Sequence, residues 1–231
     1  MVFEKGYLYH IFNQGNNKQK IFCTRDNYMY FLKKINSHIL PFVDVLSWCL
    51  MPNHFHLMVL VNRTEANSEE LVHSTTNNQD KKRKENIHLM TYNRPKNRRE
   101  MNIKTKTLNN SIAITLRSYT RAINKQENRT GSLFKPHTKA ACLNCFNSIK
   151  PTDIQSNVLI NNHLPKKQYP QVCFDYIHLN PVKAKLVKNA VDWEFSSAKD
   201  YAGLRNGKLI NKKVAEEYIV ITAEFFDEID L

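Results

Sequence analysis

Residues 43–61, VDVLSWCLMPNHFHLMVLV, constrain the fold more than any other stretch of this chain. Two apolar runs, 43–50 and 57–61, flank Met51-Pro52-Asn53, and apolar runs around such a turn read as an antiparallel β-hairpin. Successive side chains on a strand point to opposite faces. His54 and His56 therefore project together from one face of the second strand, and Phe55 and Leu57 from the other. Two adjacent imidazoles can hold one divalent metal ion, provided each keeps an unprotonated nitrogen. A His-x-His pair on a strand is also a common structural feature. Here both rings sit in an almost wholly apolar strand, where unpaired imidazoles are costly to desolvate. A metal or a phosphate ligand removes that cost.

A chain of 231 residues suffices for one good core with a helical annex. Hydrophobic residues at 42% and aromatics at 10% exclude a disordered chain. No apolar run reaches bilayer length, and the opening MVFEKGYLYH lacks the apolar stretch of a signal peptide. The expectation is a cytoplasmic protein without a membrane partner. The five cysteines (Cys23, Cys49, Cys142, Cys145 and Cys173) are odd in number and mostly in apolar settings, so reduced thiols are expected. Cys142 and Cys145 form a C-x-x-C, but no second pair accompanies them, which argues against zinc. The net charge of +13 favours a polyanionic partner, nucleic acid first. A membrane surface is the weaker option, since no strongly amphipathic basic helix stands out.

Along the chain, residues 7–13 (YLYHIFN) alternate and predict a first strand. Thr24, with Asn27 three residues on, predicts the N-cap of a helix running to about Leu40. Tyr28, Phe31, Leu32 and Ile35 recur at helical spacing, so that helix packs one face on a sheet. Pro41 ends it, and the hairpin follows. Residues 74–106 hold ten Lys or Arg against three Asp or Glu, about half of the excess charge. They read as a mobile basic insertion, either a solvated loop or a phosphate-contacting arm. Residues 108–128 return to helical spacing through Ile112, Leu116, Tyr119 and Ile123. A tyrosine on the apolar stripe of a helix is ordinarily core. Residues 132–142 predict a short strand, and Asn180-Pro181 predicts the start of a helix over 182–187. One or two last helices are expected over 211–230.

Taken together, these motifs resemble the single-tyrosine HUH transposases, and within them the REP-associated tyrosine transposases. HUH denotes two histidines around a bulky hydrophobic residue, here His54-Phe55-His56 in WCLMPNHFHLMVLV. YHIFNQGNNKQKIF at 9–22 resembles the family's first strand and turn. SYTRAIN followed by RTGSLF, within 118–134, is similar to its nucleophile helix and exit. YIHLNPVKAKLV and WEFSSAKDY, within 176–201, are similar to the C-terminal signature of the REP-associated branch. The match runs over most of the chain.

The resemblance implies an α+β fold, a ferredoxin-like βαββαβ core with an antiparallel central sheet. Residues 1–145 would form the catalytic core, and 146–231 a helical C-terminal extension packed on it. It implies His54 and His56 as ligands of Mg²⁺ or Mn²⁺ and Tyr119 as the nucleophile. Cleavage of single-stranded, REP-type hairpin DNA would then leave a 5′-phosphotyrosine link and a free 3′-hydroxyl for rejoining. Relatives place a further polar ligand one helical turn after the tyrosine, where this chain has Ile123. Asn124 is polar but rotated about 140° away on a helix, and is retained as a candidate third ligand. Arg117, Arg121, Lys81, Lys82, Arg83, Lys84, Arg98 and Arg99 are candidate DNA contacts, because single strands are held by basic grooves and aromatic stacking. His10, Asn13, His178 and Asn180 sit in matched blocks, where structural hydrogen bonding explains them equally well. The working form is expected to be a monomer or a homodimer. Two alternatives stand beside this reading: a replication-initiator or relaxase-like nicking enzyme, and a non-catalytic nucleic-acid-binding protein of the same fold.

Overall fold

A computed structural model describes residues 1–67, 105–145 and 169–222. Almost all of the basic insertion, with Lys81, Lys82, Arg83, Lys84, Arg98 and Arg99, lies outside the described residues, as does the stretch 223–231.

The chain runs β1 (Leu8–Gln14), α1 (Arg25–His38), β2 (Val43–Met51), β3 (His54–Val61), a small ribbon of β4 (Glu65–Asn67) and β5 (Thr105–Thr107), α2 (Leu108–Gln126) and β6 (Lys139–Cys142). The helices α3 (Tyr169–Lys183), α4 (Ala198–Tyr201) and α5 (Lys212–Ala215) follow. Four strands form one sheet in the order β2-β3-β1-β6, and every pairing is antiparallel. With the ribbon set aside, βαββαβ in this strand order is the ferredoxin-like core expected.

Local chemistry accounts for the boundaries. At the start of α1, Asn27 Oδ1 accepts from the backbone N–H of Cys23 and of Thr24, each at 3.0 Å. This closes two donors that the first turn leaves open. At α2 the roles are reversed, the N-cap Thr107 hydroxyl accepting from Asn110 N at 3.1 Å. The β2–β3 turn is two residues long, Met51 pairing directly with His54. Asn180-Pro181 does not start a helix; it lies in the last turns of α3. Pro181 lacks the N–H that would bond one turn back, and α3 ends two residues later. Over 211–222 only α5 forms, a single turn rather than a long terminal helix.

The sheet separates two cores. One face carries Tyr9, Ile11, Phe55, Leu57 and Val59 under α1 and α2, with Phe31, Ile112, Tyr119 and Ile123 packed onto them. The other carries Leu8, Leu46, Cys49 and Met58 under α3, with Cys173, Phe174 and Ile177. Both cores are close-packed, with Leu8, Ile11, Val45, Leu57 and Met58 fully shielded from solvent. The expectation of reduced thiols fails at Cys142 and Cys145, which are joined as a disulfide across a Cα–Cα separation of 5.7 Å, well within bridging distance. Cys23, Cys49 and Cys173 are free. Among the described residues no helix is long and apolar enough to cross a membrane.

Phe55 sits between Phe31, at 5.1 Å between ring centroids, and Phe134, at 6.1 Å. Truncating it empties the middle of the helix-covered core. Phe55→Ala is expected to cost about 3–5 kcal/mol, read as a lower urea midpoint at unchanged slope.

Candidate functional site

The pleat of β3 sends His54 and His56 to the α3 side, and the opposite face belongs to Phe55. His56 is 1% exposed and His10, on the neighbouring β1, also 1%. Their rings stack at 5.0 Å, with His10 Nε2 and His56 Nδ1 at 2.9 Å in one hydrogen bond. His54 stands at 4.9 Å from His56, nearly perpendicular to it. Its Nδ1 donates to Asn53 Oδ1 at 2.6 Å, which leaves Nε2 to carry the lone pair of the neutral ring. His56 Nε2 is buried with no hydrogen-bond partner.

From α3, Tyr176 and Asn180 share one helical face at i and i+4. The Tyr176 ring stands 5.3 Å from His56 and 6.1 Å from His10, edge-on to both. Asn180 Nδ2 donates to the Tyr176 main-chain carbonyl at 3.5 Å, and its side chain lies near enough to influence the titration of both the His54 ring and the Tyr176 phenol. Lys183, one turn beyond Asn180, sets its ammonium 5.8 Å from the centre of the Tyr176 ring. Phe12 closes the floor, stacked on His10 at 4.7 Å.

Burial governs the protonation of this cluster. Desolvation lowers His10 to about 3. It lowers His54 to about 4, an effect partly offset by the Asn180 side chain. It lowers His56 well below the ordinary imidazole value, and the nearby His10 and His54 add to the lowering. All three are neutral at pH 7, the state that metal ligation requires. Desolvation also raises the Tyr176 phenol, and the Asn180 side chain opposes that rise.

Two neutral imidazoles, one with an orphaned buried Nε2, and an adjoining amide make a donor set that fits a divalent cation tolerant of nitrogen. Magnesium prefers all-oxygen shells, so this set suits manganese better. Among the described residues no group of three or more His, Cys, Asp or Glu is arranged to hold a metal. Any further ligands would be amide, phenol, water or substrate oxygens.

Tyr119 does not reach this site. It is fully buried on the opposite face of the sheet, against Phe31 at 4.9 Å, Phe22 at 5.6 Å and Phe134 at 6.0 Å. Its hydroxyl donates to the Ile21 carbonyl at 2.6 Å, and burial pushes its pKa far up. The turn that delivers this carbonyl depends on Gly15, where a Cβ would collide with the Gln19 carbonyl. Tyr119 is a core residue with a satisfied hydroxyl, so the sheet itself separates it from the histidines.

Asn124 is also remote from the pair. Its Nδ2 donates to the Gly131 carbonyl at 2.8 Å. With Arg117 and Arg121 it lines a groove of about 630 Å³ between α2 and residues 131–138. His178 is structural, its Nε2 2.7 Å from Ser197 Oγ. Asn13 is structural too, donating to Lys135 O at 3.2 Å and Thr138 Oγ1 at 3.0 Å. The missed residue is Tyr176. A phenol four residues before Asn180 on a helix was the available signal, but nothing in the sequence says which sheet face that helix covers.

No protein-family model matches the chain, and no curated protein does. In three dimensions the chain is similar to a solved REP-associated tyrosine transposase bound to a REP hairpin. The two share 15% sequence identity with a TM-score of 0.45, over 92% of this chain and 87% of the other.

The depressed histidines couple the site to acid stability. Below about pH 6.5 the unfolded chain takes up protons that the native imidazoles refuse, so stability falls as pH drops toward 4. His10 alone contributes about 2 kcal/mol of this loss between pH 7 and pH 5. Urea midpoints at the two pH values should therefore differ less in His10→Phe than in the parent chain. An equal difference in both would mean that His10 titrates normally.

Proposed function

We propose that this chain is a strand-transferase that cuts and rejoins single-stranded hairpin DNA, with Tyr176 as its nucleophile beside the His54–His56 pair. The observation that carries this reading is the Tyr176 ring edge-on to His56 at 5.3 Å, with Asn180 one helical turn further along α3 on the same face. One phenol, two neutral imidazoles and one amide converge in a chain of net charge +13. That set suits attack on a phosphodiester better than hydrolytic chemistry at carbon, because a phenol attacking phosphorus gives a covalent ester that stores the bond energy.

His54 and His56 would hold a divalent cation through their Nε2 atoms. A bound cation supplies positive charge that offsets charge developing on the scissile phosphate. The residues of this chain do the rest. Asn53 holds the His54 ring through Nδ1, and His10 holds His56 through Nδ1, so both rings keep their orientation. The Tyr176 oxygen attacks phosphorus, its proton passes to water, and the bond to the 3′ oxygen breaks. That oxygen takes up a proton and leaves as a 3′-hydroxyl, while the 5′ side stays joined to Tyr176. Attack by a 3′-hydroxyl on the phosphotyrosine reverses these events and rejoins a strand without an external energy source.

Incubation with hairpin oligonucleotides and Mn²⁺ or Mg²⁺ should give a covalent protein–DNA adduct on a denaturing gel, and EDTA should abolish it. Tyr176→Phe should remove the adduct. His54→Ala should reduce it by about two orders of magnitude or more, the scale expected when one charge-stabilising group is lost. Tyr119→Phe should keep the adduct and lose only about 1 kcal/mol of stability from its bond to Ile21. An adduct that survives Tyr176→Phe moves the nucleophile elsewhere. Intact DNA binding without any adduct favours the non-catalytic reading.

A further inference from the structure

The groove between α2 and residues 131–138 is not part of the histidine site, yet it is attached to it. Lys135 N donates to the Gln14 carbonyl at 2.8 Å, and Gln14 is the β1 residue paired with His54. The groove wall thus hangs from the end of the sheet where the histidines begin. Its rim is cationic: Arg117 and Arg121, one helical turn apart on α2, face Lys135 from the opposite wall. All three are exposed. Its floor is apolar, with Leu116 and Phe134 between the walls. Among the described residues no Asp or Glu lines it. The Asn124 amide forms one end, and its Oδ1 is buried without a hydrogen-bond partner.

Cationic rims over an apolar floor match a strand of alternating phosphates and bases. An acidic peptide satisfies the rim but leaves the floor wet, and a lipid surface cannot enter a groove between a helix and a loop. We propose that this groove binds the single-stranded DNA flanking the cleavage point, with phosphates on Arg117, Arg121 and Lys135 and a base over the apolar floor at the half-buried Leu116. The inference rests on the strand-transfer reading above and gives it an exit path. A strand leaving the histidine face passes over the end of β1 and enters the groove on the helix side. One rigid sheet then fixes the distance between the cut and the bound flank.

The test uses the full chain and a fluorescein-labelled hairpin oligonucleotide with a single-stranded tail. Affinity is measured by anisotropy from low to moderate salt. The double variant Arg117→Ala/Arg121→Ala should bind on the order of tenfold more weakly, with the slope of log K against log salt reduced by about 0.7 per cation removed. Lys135→Ala should reduce the slope by the same amount again. Trimming the tail from the oligonucleotide should cost the parent chain more affinity than it costs the double variant. The melting temperature of each variant should match that of the parent, since all three side chains are exposed. Unchanged affinity and slope in the variants overturn the inference while leaving the strand-transfer reading standing. Equal displacement by polyglutamate of the same charge also overturns it, because that makes the groove a general anion surface. A parent chain that binds no hairpin DNA at all sinks both.

Discussion

The two-residue period of β3 is the constraint on which the rest of this structure depends. His54, His56 and Met58 point one way, and Phe55, Leu57 and Val59 the other, so one strand serves two unrelated environments. The helix-covered face is a dry aromatic core in which Phe31, Phe55, Tyr119 and Phe134 interlock. The α3-covered face carries three imidazoles, a phenol and an amide in mutual contact. A shift of one residue in the β2–β3 register would bury the imidazoles under α1 and α2 and expose Phe55. The two-residue turn at Pro52-Asn53 and the long pairing from Val43 to Val61 prevent that slip.

Buried imidazoles are retained here at a cost in stability, because each must stay neutral and each ring nitrogen seeks a partner. The cluster resolves part of this by pairing His56 with His10 and His54 with Asn53. Two ring nitrogens of the cluster, His10 Nδ1 and His56 Nε2, stay unsatisfied. An orphan of this kind in a close-packed face is expected at a functional site rather than in a structural core. Stability and chemistry therefore draw on the same geometry: the bonds that orient the rings also keep them neutral.

The comparison of Tyr119 and Tyr176 shows how far spacing can be trusted. Both lie on helices and both are buried, but Tyr119 has Arg117 and Arg121 beside it in sequence, whereas Tyr176 follows Asp175. Helical periodicity placed Tyr119 on an apolar stripe with Ile112, Leu116 and Ile123, and that local evidence for a core role was correct. The catalytic role assigned to it came from motif resemblance, and the intervening sheet contradicts it as a site shared with the histidines. Asn124 fails for the same reason, since α2 lies on the wrong side of β3. Asn180-Pro181 misled in a different way. A proline is tolerated both at the first turn of a helix and near its end, and only the packing of Phe174 and Ile177 on the sheet shows that the helix began earlier.

The amino-acid sequence by itself determined the hairpin, the common face of His54 and His56, the cap at Thr24, and the order of strands and helices that makes a βαββαβ core. These follow from periods of two and 3.6 residues and from turn chemistry, all of which act over a few positions. Tertiary structure alone decided which helix covers which face of the sheet, and therefore which tyrosine meets the imidazoles. That choice depends on how α3, more than a hundred residues after β3, docks on Leu46, Met58 and Leu8. No short-range pattern encodes such a contact, because its free energy comes from apolar area buried between segments that are remote in sequence.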